Sequence, residues 1–171
     1  MVAGRRVVAV VVVAVVGLAA STVSADSRRV RATDAVATAL LTAGLTHSAI
    51  IGSQVAGLEA SDLIVLISTS AAPGTWRGAT TLIAAREGVR YVTVTVNRLL
   101  DARDRYAVLA HELQHVTELA SDRTVVDQAG VHALYARLGW STNLEGTAYE
   151  TSKAQEQERR MHQEVRLRKL R

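Results

Sequence analysis

Between residues 60 and 120 the hydrophobic period changes once, and that change limits the chain to a fold that sets helices against a sheet. Asp62-Leu-Ile-Val-Leu-Ile-Ser68 is a continuous apolar run bounded by Ser and Pro73-Gly74, which reads as a buried strand. Gly78 to Arg86 and Arg90 to Asn97 are two more strands, separated by the hairpin signal Glu87-Gly88. The second alternates strictly, with Val92, Val94 and Val96 on one face and Tyr91, Thr93 and Thr95 on the other. One face therefore packs on a core while the other meets solvent or a groove. Past Asn97 the period becomes helical. Leu109, Leu113, Val116 and Ala120 form the apolar stripe of a helix that Asp101 or Asp104 can cap.

The flanking segments are helical by the same criteria. Ser27 to about Gly44 is Ala-rich, with Val30, Val36, Leu40 and Leu41 at roughly helical spacing, whereas Ser48 to Glu59 is Gly-punctuated and reads as loop or a short helical turn. Ser121-Asp122 can cap a helix that buries Val125, Val126, Ala129, Ala133, Leu134 and Leu138 and stops at Gly139. A loop from Trp140 to Gly146 leads to a last helix, Thr147 to about Arg168. The fold class is α+β: an N-terminal helix, a small, mainly antiparallel sheet of about three strands, then three helices.

Arg5-Arg6, an apolar run from Val7 to Ala20 and the small residues Val23-Ser24-Ala25 have the order of a secretory signal cleaved after Ala25. The run is short of the roughly 20 residues that span a bilayer, so an uncleaved anchor at residues 7–20 is the second reading. The expected destination is periplasmic or extracellular, and residues 26–171 form a single domain. Without Arg5 and Arg6 the net charge falls from +4 to +2, which gives no argument for nucleic-acid binding. There is no cysteine, so a metal site in this chain draws on His and carboxylate ligands.

His111-Glu112-Leu113-Gln114-His115 supplies such ligands within the central helix. Residues four apart lie one turn apart on one face, so both imidazoles can reach one ion. Glu112 lies about 100° round the helix, where a carboxylate can accept a water's proton and pass it to a leaving amine. A zinc ion is the expected cofactor.

The stretch resembles the zincin metallopeptidases, in which a strand of a small sheet precedes the HExxH helix and a later helix supplies the third ligand. Ser61-Asp62-Leu-Ile-Val, Arg90-Tyr91-Val-Thr-Val, Leu109 to Glu118, Leu134-Tyr135 and Tyr149-Glu150-Thr151 are also similar to pieces of a group of exported bacterial proteins. The resemblance covers most of residues 60–155 and implies Glu150 as third ligand, opening a downstream helix. The Asp often found four residues beyond that ligand is Ala154 here, so the usual partner behind the ligands is missing or comes from elsewhere. Glu118, His132 and, more weakly, Glu145 are the alternatives. The glycine-spaced third His of the metzincins is absent.

Tyr149 and Tyr135 are candidate oxyanion donors, and the strand Arg90–Asn97 is a candidate edge for an extended peptide. Trp76 and Trp140 are placed in loops at the cleft rim, and His47 and His162 on the surface. Arg159, Arg160, Arg166, Arg168, Lys169 and Arg171 give the last helix a basic end suited to its dipole and to contact with an anionic membrane. The expected function is zinc-dependent peptide hydrolysis with Glu112 as general base and a peptide or protein substrate. A non-catalytic metal-binding module of the cell envelope is the alternative. The export reading predicts a mature chain beginning at Asp26. N-terminal sequencing of envelope material tests this, and a chain still starting at Met1 in the membrane fraction supports the anchor instead.

Overall fold

Six side chains on two neighbouring strands, Leu63, Val65 and Ile67 on one and Val92, Val94 and Val96 on the other, are fully buried. At about 1.5–3 kcal/mol for each aliphatic side chain, that face outweighs any other local preference and turns the sheet inward. The computed structural model of the protein describes residues 28–143 and 148–168. The candidate signal, Glu145, Thr147, Lys169 and Arg171 lie outside them. In chain order come β1 (Val30–Ala32), α1 (Ala35–His47), α2 (Ala49–Glu59), β2 (Leu63–Ser70), β3 (Gly78–Arg86) and β4 (Val89–Asn97). They are followed by α3 (Ala102–Ala120), α4 (Gln128–Leu138), β5 (Trp140–Ser141), β6 (Tyr149–Glu150) and α5 (Ser152–Arg168). The class is α+β, as expected, but the sheet differs from the expectation.

Four strands, not three, form a mixed sheet in the order β1-β2-β4-β3, and a separate ribbon pairs β5 with β6. β2 runs parallel to both β1 and β4, and only β3 with β4 is antiparallel, so the sheet is not mainly antiparallel. The cause is connectivity. Two helices separate β1 from β2, and β3 passes to the outside so that β4 fills the place beside β2. The β3–β4 turn is the expected two-residue one, and Glu87 and Gly88 both have positive φ, 51° and 77°. A type I′ turn demands this of both central residues, and Gly adopts it without penalty. β4 is therefore interior, and among the described residues the outer strands are β1 and β3, not Arg90–Asn97 as the alternation alone suggested.

The helices also depart from expectation at their ends. Val30 starts a strand, and the first helix begins after Asp34, whose carboxylate accepts from Ala37 N at 2.9 Å. Residues 49–59 are a full helix. Ser48 closes α1 through its N–H to Gly44 O and caps α2 with its hydroxyl oxygen, which accepts from Ile51 N–H, and the chain bends by 107° there. Gly52 and Gly57 face open space, and the stripe Ile51, Val55, Leu58 carries the helix despite them. α4 starts at the Asp127 cap and not at Ser121-Asp122, and buries only Leu134 and Tyr135. Val125 is buried in the preceding turn, while Val126 and Leu138 are 50% and 43% exposed. The last helix starts at Ser152, so Glu150 sits on a strand and not in the helix.

α3 packs under β3 and β4 and along α5, with Leu109, Leu113 and Val116 fully buried. Its far end is tied to the sheet by Arg90, 2% exposed at the start of β4. The guanidinium pairs with Asp62 at 2.7 and 3.0 Å and donates to the carbonyls of Leu119, Asp122 and Val125 at 2.8–3.1 Å. Helix C-termini leave carbonyls without intrahelical partners, and a buried cation there also meets the negative end of the dipole. Arg90→Met strands Asp62 and three carbonyls together. Removing one partner of a buried pair costs about 3–5 kcal/mol, and urea unfolding of the metal-stripped protein should show that loss. A loss below about 1 kcal/mol would contradict the anchoring role.

Candidate metal centre

α3 presents His111 and His115 one turn apart, and β6 brings Glu150 across from them. Glu150 Oε1 lies 3.5 Å from His111 Nε2 and 3.8 Å from His115 Nε2. One ligand atom from each of the three falls within 4.8 Å of the others, so the group can hold a metal ion. The side chains are mostly enclosed, at 13%, 8% and 18% exposure, so little water competes for them.

Each imidazole has a carboxylate on its other nitrogen. His115 Nδ1 is 3.0 Å from Glu118 Oε2, and His111 Nδ1 is 3.0 Å from Glu158 Oε2. The Glu118 acceptor on His115 Nδ1 selects the tautomer with Nε2 unprotonated, Glu158 stands as close to His111 Nδ1 but off the line of a hydrogen bond, and both Nε2 atoms face Glu150. The donor set of two imidazoles and one carboxylate, with two further carboxylates behind the imidazoles, therefore fits a metal ion that takes nitrogen and oxygen ligands. Glu118 is itself fixed by Thr151 Oγ1 at 2.8 Å and, more loosely, by Gln114 Nε2 at 3.5 Å. Glu118 thus lies behind His115, outside the group of three, and His132 stands apart, exposed, 2.7 Å from the Tyr149 hydroxyl.

Glu158 was not among the residues the sequence singled out. It stands one helical turn beyond Ala154, on the same face of α5, and its longer side chain does what an Asp four residues after the ligand would do. That i+4 step was the available signal. Thr80 was missed as well. Its hydroxyl donates to Glu112 Oε2 at 2.8 Å and lies 3.1 Å from the Glu112 carbonyl, but a lone Thr on a strand carries no sequence signal.

The surroundings set different charge states on these acids. Burial pushes the Glu112 carboxyl above its ordinary range, though His115, His111 and Thr80 oppose that. The His111 imidazole 3.0 Å away, helped by Arg77 against the cost of burial, holds Glu158 down at about 2. Burial works against the Glu118 anion, yet its bonds from His115 and Thr151 bring it below the usual value. Burial alone would lower His111, but the adjacent Glu158, Glu112 and Glu150 raise it.

The group lies in a cleft of about 450 Å³ between the N-terminal half of β3 and the α4–β6 side. Gly78 lets β3 approach, since a Cβ there would meet Val108 Cγ1 at 2.6 Å and Glu112 Oε1 at 2.9 Å. Tyr135 is edge-on to His115, gives its hydroxyl to the His115 carbonyl at 3.2 Å and stacks on Tyr149 at 5.3 Å. Trp140 begins β5 instead of lying in a loop, and the Trp76 carbonyl accepts from Asn97. Neither protein-family models, nor curated proteins, nor solved structures give a match to this chain.

The position of Glu150 depends on Gly139, because a Cβ there would fall 1.9 Å from the Glu150 carbonyl oxygen. Gly139→Ala should therefore displace β6 and weaken zinc binding by about tenfold or more, as loss of an orienting contact does. Glu150→Ala should abolish stoichiometric zinc. Competition against a chromophoric chelator measures both, and Glu150→Ala protein that binds zinc as tightly as wild type moves the third ligand elsewhere.

Proposed function

We propose that the chain is an exported zinc-dependent peptidase of the zincin type, with His111, His115 and Glu150 as metal ligands and Glu112 as general base. The observation that carries the reading is the convergence of both Nε2 atoms on Glu150 beside the buried Glu112 carboxyl. Zinc in such a donor set acts as a Lewis acid toward a carbonyl and lowers the pKa of a water.

The chain's own residues account for the rest. Thr80 engages Glu112 Oε2 and fixes the carboxylate plane, and Gly78 leaves space over Oε1. Glu112 takes the proton of the attacking water on its carboxylate and delivers it to the leaving amine nitrogen. Burial favours the protonated carboxyl, which suits a group that must hold a proton between two transfers. β3 offers its free edge along Gly78–Leu82, where an extended peptide can add as a further strand. The register shift between Leu82 and Ala84 ends that regular ledge. A purely structural metal site has no need of a base beside it and fills all four positions with protein ligands.

Glu112→Gln separates enzyme from binding module. The variant should keep near-wild-type zinc content and thermal midpoint, because the residue is outside the ligand group. Hydrolysis of any peptide the wild type cuts should fall by about 10²–10⁴-fold, the range positioned proton transfer supplies. Undiminished hydrolysis would remove Glu112 from the mechanism, and a zinc-loaded wild type that cuts nothing in a broad peptide screen supports the binding module.

A further inference from the structure

We infer that Arg77 is a positioning residue for the metal group, acting through Glu158 on His111; the inference rests on the metal-binding reading above. It begins at the end of β4. Asn97, 2% exposed, donates from Nδ2 to the carbonyls of Ala72 and Trp76 at 2.7 and 2.8 Å, and its backbone N–H donates to the Arg77 carbonyl at 2.8 Å. The segment entering β3 is thus clamped immediately before and at Arg77, and the side chain leaves from a fixed root.

From that root the guanidinium bonds Glu158 Oε1 on α5, while its other terminal nitrogen stands 3.8 Å from Asp104 on α3. The second Glu158 oxygen lies 3.0 Å from His111 Nδ1. One carboxylate therefore has one oxygen on an arginine and the other on an imidazole. A Glu on a helix surface samples several staggered rotamers. His162 competes for the same Oε1 from 3.9 Å, one turn along α5. Arg77 selects the rotamer that puts Oε2 on His111, and a fork of guanidinium donors specifies direction as well as charge.

The two histidines are backed differently. Behind His115, Glu118 is locked in the interior by a hydroxyl and an amide. Behind His111, the lock is an arginine whose side chain is 41% exposed at the lip of the cleft. Loss of Arg77 leaves all three ligands and both supporting carboxylates in the sequence, so a weakening of metal binding reports how Glu158 is held, in direction and in charge.

The test is a double-mutant cycle on the full mature chain, with zinc affinity read by chelator competition and folding checked by thermal midpoint in excess chelator. Glu158→Leu should weaken zinc by about 10–100-fold, the range for a residue orienting a ligating His. Arg77→Met should weaken it by a smaller factor, about three- to tenfold, and Arg77→Lys should recover part of that through a single ammonium contact. In the Glu158→Leu background Arg77→Met should add nothing, since it has lost the group it acts through. Where Arg77→Met does not fold, Arg77→Gln takes its place in the cycle. Equal effects of Arg77→Met in both backgrounds, or none in the parent, overturn the assignment. A parent chain that takes up no zinc overturns the metal reading and this inference with it, whereas a zinc-loaded parent with additive effects overturns the Arg77 assignment alone.

Discussion

A buried guanidinium holds the far end of the central helix to the sheet. Arg90 reaches the last carbonyls of α3 and the following turn while pairing with Asp62 at the foot of β2, so one side chain joins two strands, a helix terminus and the connection to α4. A charge this enclosed is tolerated because each guanidinium nitrogen meets an acceptor and a carboxylate pairs with it. The direction of α3 beneath the sheet follows from that joint together with the aliphatic packing. The direction of α3 in turn decides that His111 and His115 open toward β3 and β6 and not toward solvent.

Along the middle and C-terminal half of α3 the polar groups are arranged by the same rule, with the opposite purpose. Four carboxylates, Glu112, Glu118, Glu150 and Glu158, and two imidazoles are packed into a partly closed space where like charges would repel strongly. Three of these acids meet different sets of neighbours. Glu158 faces an arginine and an imidazole, Glu118 a hydroxyl and an imidazole, and Glu112 a hydroxyl under apolar cover. The first two are held as anions and the third is pushed toward its neutral form. On the proposed reading, chemically similar side chains are thereby divided into orienting groups and one proton carrier.

Much of this was legible in the sequence, and the limits have physical causes. The β3–β4 hairpin, its turn, the Asp101 cap and the stripe of α3 are local patterns, and they appear within a residue or two of where periodicity puts them. Strand order is not local: nothing in Arg90–Asn97 reveals whether one or both of its edges are paired. α2 was hidden because two glycines lower helix propensity, yet both face open space and cost little beside three buried side chains. In the site, His111, Glu112 and His115 follow from helical spacing, and Glu150 from a resemblance, although it rides on a strand. Glu158, Thr80 and Arg77 required the tertiary arrangement, since each matters only through the residue it touches.

The ribbon that carries Glu150 is two residues long on each side, with pairings Trp140 to Glu150 and Ser141 to Tyr149. Strands that short are marginal by themselves. On the proposed reading the ion would be a covalent-like cross-link between α3 and this ribbon, closing a loop from His115 to Glu150 in a chain that has no cysteine. Unlike a disulfide, such a cross-link is governed by mass action, so its contribution grows with the logarithm of free zinc. Outside the cytoplasm, where metal supply fluctuates, the chain's resistance to unfolding and to other proteases would then track the zinc around it and not the redox state of its surroundings.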